Sequence, residues 1–216
     1  MNFIDLFAGI GGFRVALESR GLDCVYSSER DKFARITYEH NFNDLPDGDI
    51  TKIDLKKIPT HDCLCAGFPC QPFSISGNHG GFKDTRGTLF FNIATIVKLK
   101  KPKIIFLENV RNILSHDQGR TMAIIKKTLH ELGYDVFYKL FNSSHFGVPQ
   151  NRQRVYIICF EKKLKINEFE FPEPTFKEIY LENIIEKGEV AKSYEINRSD
   201  IFLNKKITDN DLKKQL

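Results

Sequence analysis

No apolar run in the 216-residue sequence approaches the roughly 20 residues that cross a bilayer. The opening MNFIDLF has no basic stretch ahead of an apolar one, so it does not read as a secretory signal, and the expected location is the cytoplasm. The five cysteines, Cys24, Cys63, Cys65, Cys70 and Cys159, are odd in number and mostly embedded in apolar runs, which argues against a disulfide framework. None of their spacings is that of a metal site, so no metal is expected. Internal repeats and low-complexity tracts are also missing. Excess charge is small: 32 Lys and Arg against 28 Asp and Glu leave +4, which permits a polyanionic partner without requiring one. What is present, 41% hydrophobic residues of which many are aromatic, suffices for one sizeable core.

Short apolar runs alternate with longer segments of helical period, the pattern of a parallel sheet with crossover helices and hence of a doubly wound, mostly parallel α/β fold. Strands are expected at residues 3–7, 23–28, 62–67, 103–107, 135–141 and 154–160, and helices in GGFRVALESRG, RDKFARITYEHNF and RTMAIIKKTLHELG. The run IIFLE is apolar up to its acid, as in a central strand buried on both faces. Composition shifts near residue 165, where FEFPEPTF leads into a Lys, Glu and Asn-rich tail. Residues 1–170 are therefore read as one domain and 171–216 as a linker with the start of something small, near the lower size limit for an independent domain.

The stretch AGFPCQPFSISGNHGGFKDTRG, residues 66–87, sets Cys70 between Pro69 and Pro72, which forbid regular pairing on either side. A long loop rich in Gly, Ser and Asn follows, so this thiol is displayed rather than packed as core. The first strand runs into DLFAGIGGF, a Gly-rich turn, and Glu29 follows twenty residues after Gly9 at the end of the second strand. A carboxylate so placed can accept from both ribose hydroxyls. With Gly9 and Gly11 as the first two glycines of a dinucleotide fingerprint, the third position is Arg14, which disfavours a nicotinamide cofactor. A nucleoside ligand without phosphates fits better, and S-adenosylmethionine is the commonest. In GDI, Asp49 is placed to bond an adenine amino group and Ile50 to pack on its ring. Glu108, after its apolar run, converges with Cys70 at the carboxyl ends of strands. Arg152 and Arg154 alternate on one face of the last strand, where they can grip a phosphate or a base carbonyl.

Taken in order, DLFAGIGGF, SSERD, GDI, GFPCQPFS, ENV and QNRQRVYIICF resemble the motifs of the DNA cytosine-5 methyltransferases, above all bacterial enzymes of the HhaI type, nearly continuously from residue 3 to about 175. The resemblance implies a Rossmann-like fold that binds S-adenosylmethionine through Phe7, Gly9, Ile10, Gly11, Gly12, Glu29, Asp49, Ile50 and Pro69. It implies that Cys70, Glu108, Arg152 and Arg154 handle the cytosine, and that double-stranded DNA, methylated within a restriction-modification system, is the substrate. Arg30 departs from the pattern, since many relatives carry a flat residue against the adenine there. Family members continue into a target-recognition domain and a closing segment. A complementary C-terminal subunit, a truncated product or an excised piece are the readings of a chain that stops at Leu216.

The chemistry accounts for the residue types. Carbon 5 of cytosine is too weak a nucleophile to take a methyl group until a thiolate adds to carbon 6, with a proton or hydrogen bond supplied at ring nitrogen 3. The base must be flipped out of its duplex, and the loop 71–88, with Ser74, Ser76 and Arg86 as DNA contacts, reads as the lid over it. The rival readings are a tRNA cytosine-5 methyltransferase and a remnant that only binds cofactor or a partner.

Overall fold

The computed structural model describes residues 1–69, 89–175, 179–185 and 188. They fall into two compact units, Met1–Leu140 with Arg154–Phe171, and Phe141–Gln153 with the described part of Pro172–Leu216.

The first unit is organised on a six-stranded sheet, β1 Asn2–Leu6, β2 Asp23–Ser28, β3 Cys63–Gly67, β4 Ile104–Val110, β5 Tyr134–Asn142 and β6 Gln153–Glu161, in the order β2-β1-β3-β4-β6-β5. β1 pairs parallel with β2 and β3, and β3 parallel with β4, whereas β6 runs antiparallel to β4. This is the expected α/β, mostly parallel architecture. The chain leaves β1 toward β2 and returns to the other side of β1 as β3. The reversal of winding opens a crevice at the carboxyl ends of β1 and β3, where such folds bind ligands.

Among the described residues four α-helices flank the sheet, α1 Gly12–Glu18, α2 Lys32–Phe42, α3 Leu89–Lys100 and α4 Arg120–Glu131. The larger core packs Ile93, Ile96 and Val97 of α3 and Ile125 and Leu129 of α4 against Ile4, Leu6, Leu64, Ile105, Leu107 and Ile157 of the sheet. The other face carries a smaller cluster, Phe3, Cys63 and Cys65, against which Phe13 and Leu17 of α1 pack.

Three expectations change. α3 was not anticipated: LFFNIATIVKLK is apolar on so many positions that no helical stripe stands out, and five of its residues are buried. β4 is not buried evenly on both faces. Ile105, Leu107 and Asn109 are fully buried toward the larger core while Ile104, Phe106 and Glu108 are half-buried, because the second face has the thinner cover. β4 also runs to Val110, so Glu108 lies within the strand rather than at its end.

The second unit has contacts of its own. The Phe141 and Phe146 rings meet edge to face at 5.2 Å, the Ser143 amide donates to the Arg152 carbonyl, and the Thr175 amide donates to the His145 carbonyl.

Candidate functional site

β1 is buried from Phe3 to Leu6 and delivers the chain into a tight turn at the carboxyl edge of the sheet. Phe7 and Gly9 both sit at φ +55 and Gly11 at φ +96, and the turn is closed by bonds from the Ala8 amide to the Ser28 carbonyl and from the Gly11 amide to the Ala8 carbonyl. A left-handed Phe is unfavourable by about 1–2 kcal/mol; its ring packs against the larger core, which holds it there. Gly11 has no alternative, since a Cβ would lie 2.2 Å from the Phe42 ring. Gly9 differs, because a Cβ there would meet nothing within 4 Å. Ile10 is 60% exposed, and Gly12 opens α1.

Glu29, just past β2, pins this turn. Its Oε2 accepts from the Gly9 amide at 2.8 Å and its Oε1 from the Asp31 amide at 2.7 Å. Each oxygen keeps a second lone pair for a ligand hydroxyl. Asp49 caps the short helical turn Ile50–Lys52: its Oδ1 accepts from the Thr51 amide at 3.0 Å and the Thr51 hydroxyl at 2.8 Å, bonds that hold its carboxyl below the usual range. Ile50 is buried in the larger core, leaving only an edge to offer a ligand, while Pro69 is exposed just beyond β3.

Glu108 and Arg154 form the other half of the edge. The antiparallel register sets Val110 opposite Arg154 and Glu108 opposite Tyr156, so the start of β6 lies beside the end of β4. Arg154 Nε donates to Glu108 Oε1 at 2.7 Å, with the side chains 19% and 25% exposed respectively. Glu108 pairs with Gly67 of β3, and its Oε2 would lie 3.4 Å from a Cβ on that residue, so glycine leaves the carboxylate room. Asn109, fully buried, donates through Nδ2 to the Phe68 carbonyl at 2.7 Å. That bond fastens the end of β4 to the segment Phe68–Pro69.

Of the expected residues, the structure brings Phe7, Gly9, Ile10, Gly11, Gly12, Glu29, Asp49, Ile50 and Pro69 to the carboxyl edge of β1, β2 and β3, and joins Glu108 to Arg154. Arg152 is not on a face of the last strand with Arg154. It precedes β6, within the second unit, and its amide donates to Asn142 Oδ1. Cys70, Ser74, Ser76 and Arg86 lie outside the described residues. Among the described cysteines, burial pushes the Cys24 thiol up to about 11 and Cys159 higher still, and the bond with Cys63 together with burial raises Cys65, so these three thiols are not poised to ionise.

Three side chains escaped the sequence reading. Asn109 interrupts an apolar alternation, a polar residue where a buried one is due, and that interruption is the signal that could have found it. Arg14 is followed one turn later by Glu18, to which it is bonded. Asp5 is fully buried beneath the turn, and the nearby Arg14 amide is too far or too poorly aligned to satisfy either oxygen fully. Burial, countered by the nearby Arg14 guanidinium and reinforced by the Glu29 carboxylate, raises its carboxyl to about 7. Among the described residues no group of side chains could hold a metal ion, and no helix is long and apolar enough to cross a membrane.

The family model described as C-5 cytosine-specific DNA methylase matches residues 1–215. The chain is 51% identical over 203 residues to the type II methyltransferase M.HhaI of Haemophilus parahaemolyticus, a match covering 94% of this chain and 62% of that relative. It is 55% identical over 190 residues to the type II methyltransferase M.SsoII of Shigella sonnei, covering 87% of this chain and 50% of the relative. A crystal structure of a Spodoptera frugiperda DNMT2 mutant superposes with a TM-score of 0.71 at 25% identity, over 88% of this chain and 60% of that one. The chain thus spans between half and two thirds of the length of these relatives.

Proposed function

Since the chain belongs to the C-5 cytosine-specific DNA methylase family, we propose that it is the catalytic portion of a type II DNA methyltransferase that moves a methyl group from S-adenosylmethionine to carbon 5 of cytosine in double-stranded DNA. The observation that carries this reading is the Glu108–Arg154 pair, set at the carboxyl edge beside the Phe68–Pro69 segment that leads into Cys70.

The residues present fit the cofactor. The missing Cβ of Gly9 faces open space, and the Glu29 and Asp49 carboxylates suit the hydroxyls and amino group of a nucleoside. Phe7, Ile10, Gly11, Gly12, Ile50 and Pro69 would line the rest. When bound, S-adenosylmethionine supplies a methyl group made electrophilic by its sulfonium.

Cys70 adds as a thiolate to carbon 6 of the flipped base. Glu108 supplies the proton or hydrogen bond at nitrogen 3 that turns carbon 5 into an enamine-like nucleophile. Arg154 is given two tasks: it orients the Glu108 carboxyl through the 2.7 Å bond, and its positive charge stabilises the carbonyl oxygen of cytosine as charge develops there. Once carbon 5 carries the methyl group, loss of its proton to solvent, return of any nitrogen 3 proton to Glu108 and expulsion of the Cys70 thiolate restore the enzyme. Ser74, Ser76 and Arg86 are assigned to DNA contact, and Arg152 to a phosphate or base carbonyl. Reading of a specific DNA sequence is assigned to a polypeptide equivalent to the remaining length of the relatives, on this chain's continuation or on a second subunit, in the cytoplasm of a cell with a restriction-modification system.

Calorimetry with S-adenosylhomocysteine tests the cofactor assignment. Saturable binding is expected, weakened about tenfold or more in Glu29→Ala, since hydrogen bonds to a charged group are each worth about 1.5–3 kcal/mol. Absence of heat at millimolar ligand, with the chain folded by circular dichroism, overturns it. Labelled methyl transfer compared between duplex DNA and tRNA tests the substrate class.

A further inference from the structure

Arg14 occupies the position where a dinucleotide fingerprint has its third glycine, yet its side chain turns away from the crevice. The guanidinium lies over the Phe42 ring at 4.6 Å and the Tyr38 ring at 5.4 Å. Its Nη1 donates to Asp44 Oδ2 at 2.6 Å and to the Tyr38 hydroxyl at 3.2 Å, and its Nε to Glu18 Oε1 at 2.8 Å. The side chain is only 12% exposed, so these contacts are screened less than those of a surface arginine.

These bonds join α1 directly to a segment whose other tie to the turn runs through the parallel bridge between Asp47 and Ser28. On one side stands the turn, with Gly11 seated directly against Phe42. On the other stands the segment after α2, which starts from Asn43 at φ +51 and passes through Asp44 to Asp47 and Asp49. Arg35 Nε holds the Pro46 carbonyl of that segment, and the Asp47 amide and carbonyl bond to the Ser27 carbonyl and the Glu29 amide. Asp44 is therefore the point at which α1 grips the segment that carries Asp49.

We propose that Arg14 is a positioning residue for the cofactor: by clamping α1 to Asp44 it sets the separation between the Gly9–Glu29 side of the crevice and Asp49, and it does so without touching the ligand. The proposal rests on the cofactor reading given above. An arginine is required because only a planar cation with a fork of donors covers two rings and bonds three side chains at once.

The test is S-adenosylhomocysteine affinity by calorimetry at a temperature well below the unfolding midpoint, for the wild type, Arg14→Gln, Asp44→Asn and the double variant. The expected result is a roughly tenfold loss of affinity in each single variant and no further loss in the double. Unchanged affinity in Arg14→Gln alongside a lowered midpoint would show a purely structural residue and overturn the proposal, as would losses that multiply in the double. Should Arg14→Gln not fold, Asp44→Asn decides alone, because it leaves the arginine on its rings and with Glu18; unchanged affinity there is equally fatal. A wild type that binds no ligand removes the cofactor reading itself, whereas a wild type that binds and variants that bind equally well remove only the role of Arg14.

Discussion

Gly9 and Gly11 stand two residues apart in one turn, both at positive φ, and replacement by alanine should separate their roles. At Gly11 two penalties add. A left-handed alanine is unfavourable by about 1–2 kcal/mol. Its methyl group would also lie 2.2 Å from Cε2 and 2.7 Å from Cζ of Phe42 and 3.2 Å from Tyr38. The Phe42 ring cannot easily withdraw, since it lies under the Arg14 guanidinium and against the Tyr38 ring at 4.7 Å. Overpacking of this kind costs about 1–3 kcal/mol. The sum, about 2–5 kcal/mol, is a large fraction of the roughly 5–15 kcal/mol that keeps a domain folded. At about 2–4 °C per kcal/mol for a unit of this size, it lowers the melting temperature by somewhere between ~4 and ~20 °C. Gly9→Ala incurs only the conformational penalty, about 1–2 kcal/mol, because nothing lies within 4 Å of its added methyl. That methyl enters the space assigned to the cofactor, so affinity should fall while stability drops by no more than the conformational penalty. Urea unfolding of both variants, paired with ligand calorimetry, reads out the difference. Equal stabilities for the two variants, or a loss below about 1 kcal/mol for Gly11→Ala, would refute the packing argument.

Asp5 makes stability depend on pH. Its carboxyl is raised from 3.8 to about 7, so the folded state holds a proton that the unfolded chain has already lost. Its contribution is complete below pH 4 and disappears as pH rises to 7, a change of up to about 4 kcal/mol. Urea melts of Asp5→Asn should show a flatter profile over that range, and parallel profiles for variant and wild type contradict the assignment. Asn109→Asp replaces the Nδ2 donor by an acceptor facing the Phe68 carbonyl. It should destabilise the chain by about 1–3 kcal/mol at neutral pH and recover part of that loss on acidification, when the carboxyl can donate; a pH-independent loss contradicts the bond.

The strands were legible because each is a short apolar run bounded by Gly, Pro or charge, and the relation of Glu29 to the Gly-rich turn was legible because parallel β1 and β2 place their carboxyl ends together. The residues at that edge carry their chemistry in their type. Other features depend on tertiary structure. The meeting of Glu108 with Arg154 follows from β6 running antiparallel to β4, and no local pattern states a strand's direction. The full length of β4 depends on Asn109 finding the Phe68 carbonyl, a partner 41 positions away. Phe7 is left-handed only because the core holds its ring. The inward turn of Arg14 needs α2 beside it, and α3 was hidden by its own uniform apolarity.

The central claim is that Cys70 bonds covalently to a cytosine held by Glu108 and Arg154. The direct measurement is trapping on duplex DNA that carries 5-fluorocytosine, with S-adenosylmethionine and a polypeptide supplying the remaining length of the relatives, followed by peptide mass spectrometry. Fluorine cannot leave as the proton does, so a stable adduct should accumulate on Cys70, be lost in Cys70→Ser, and form far more slowly in Glu108→Gln. An adduct that persists in Cys70→Ser, or that maps to Cys63 or Cys65, would contradict the account.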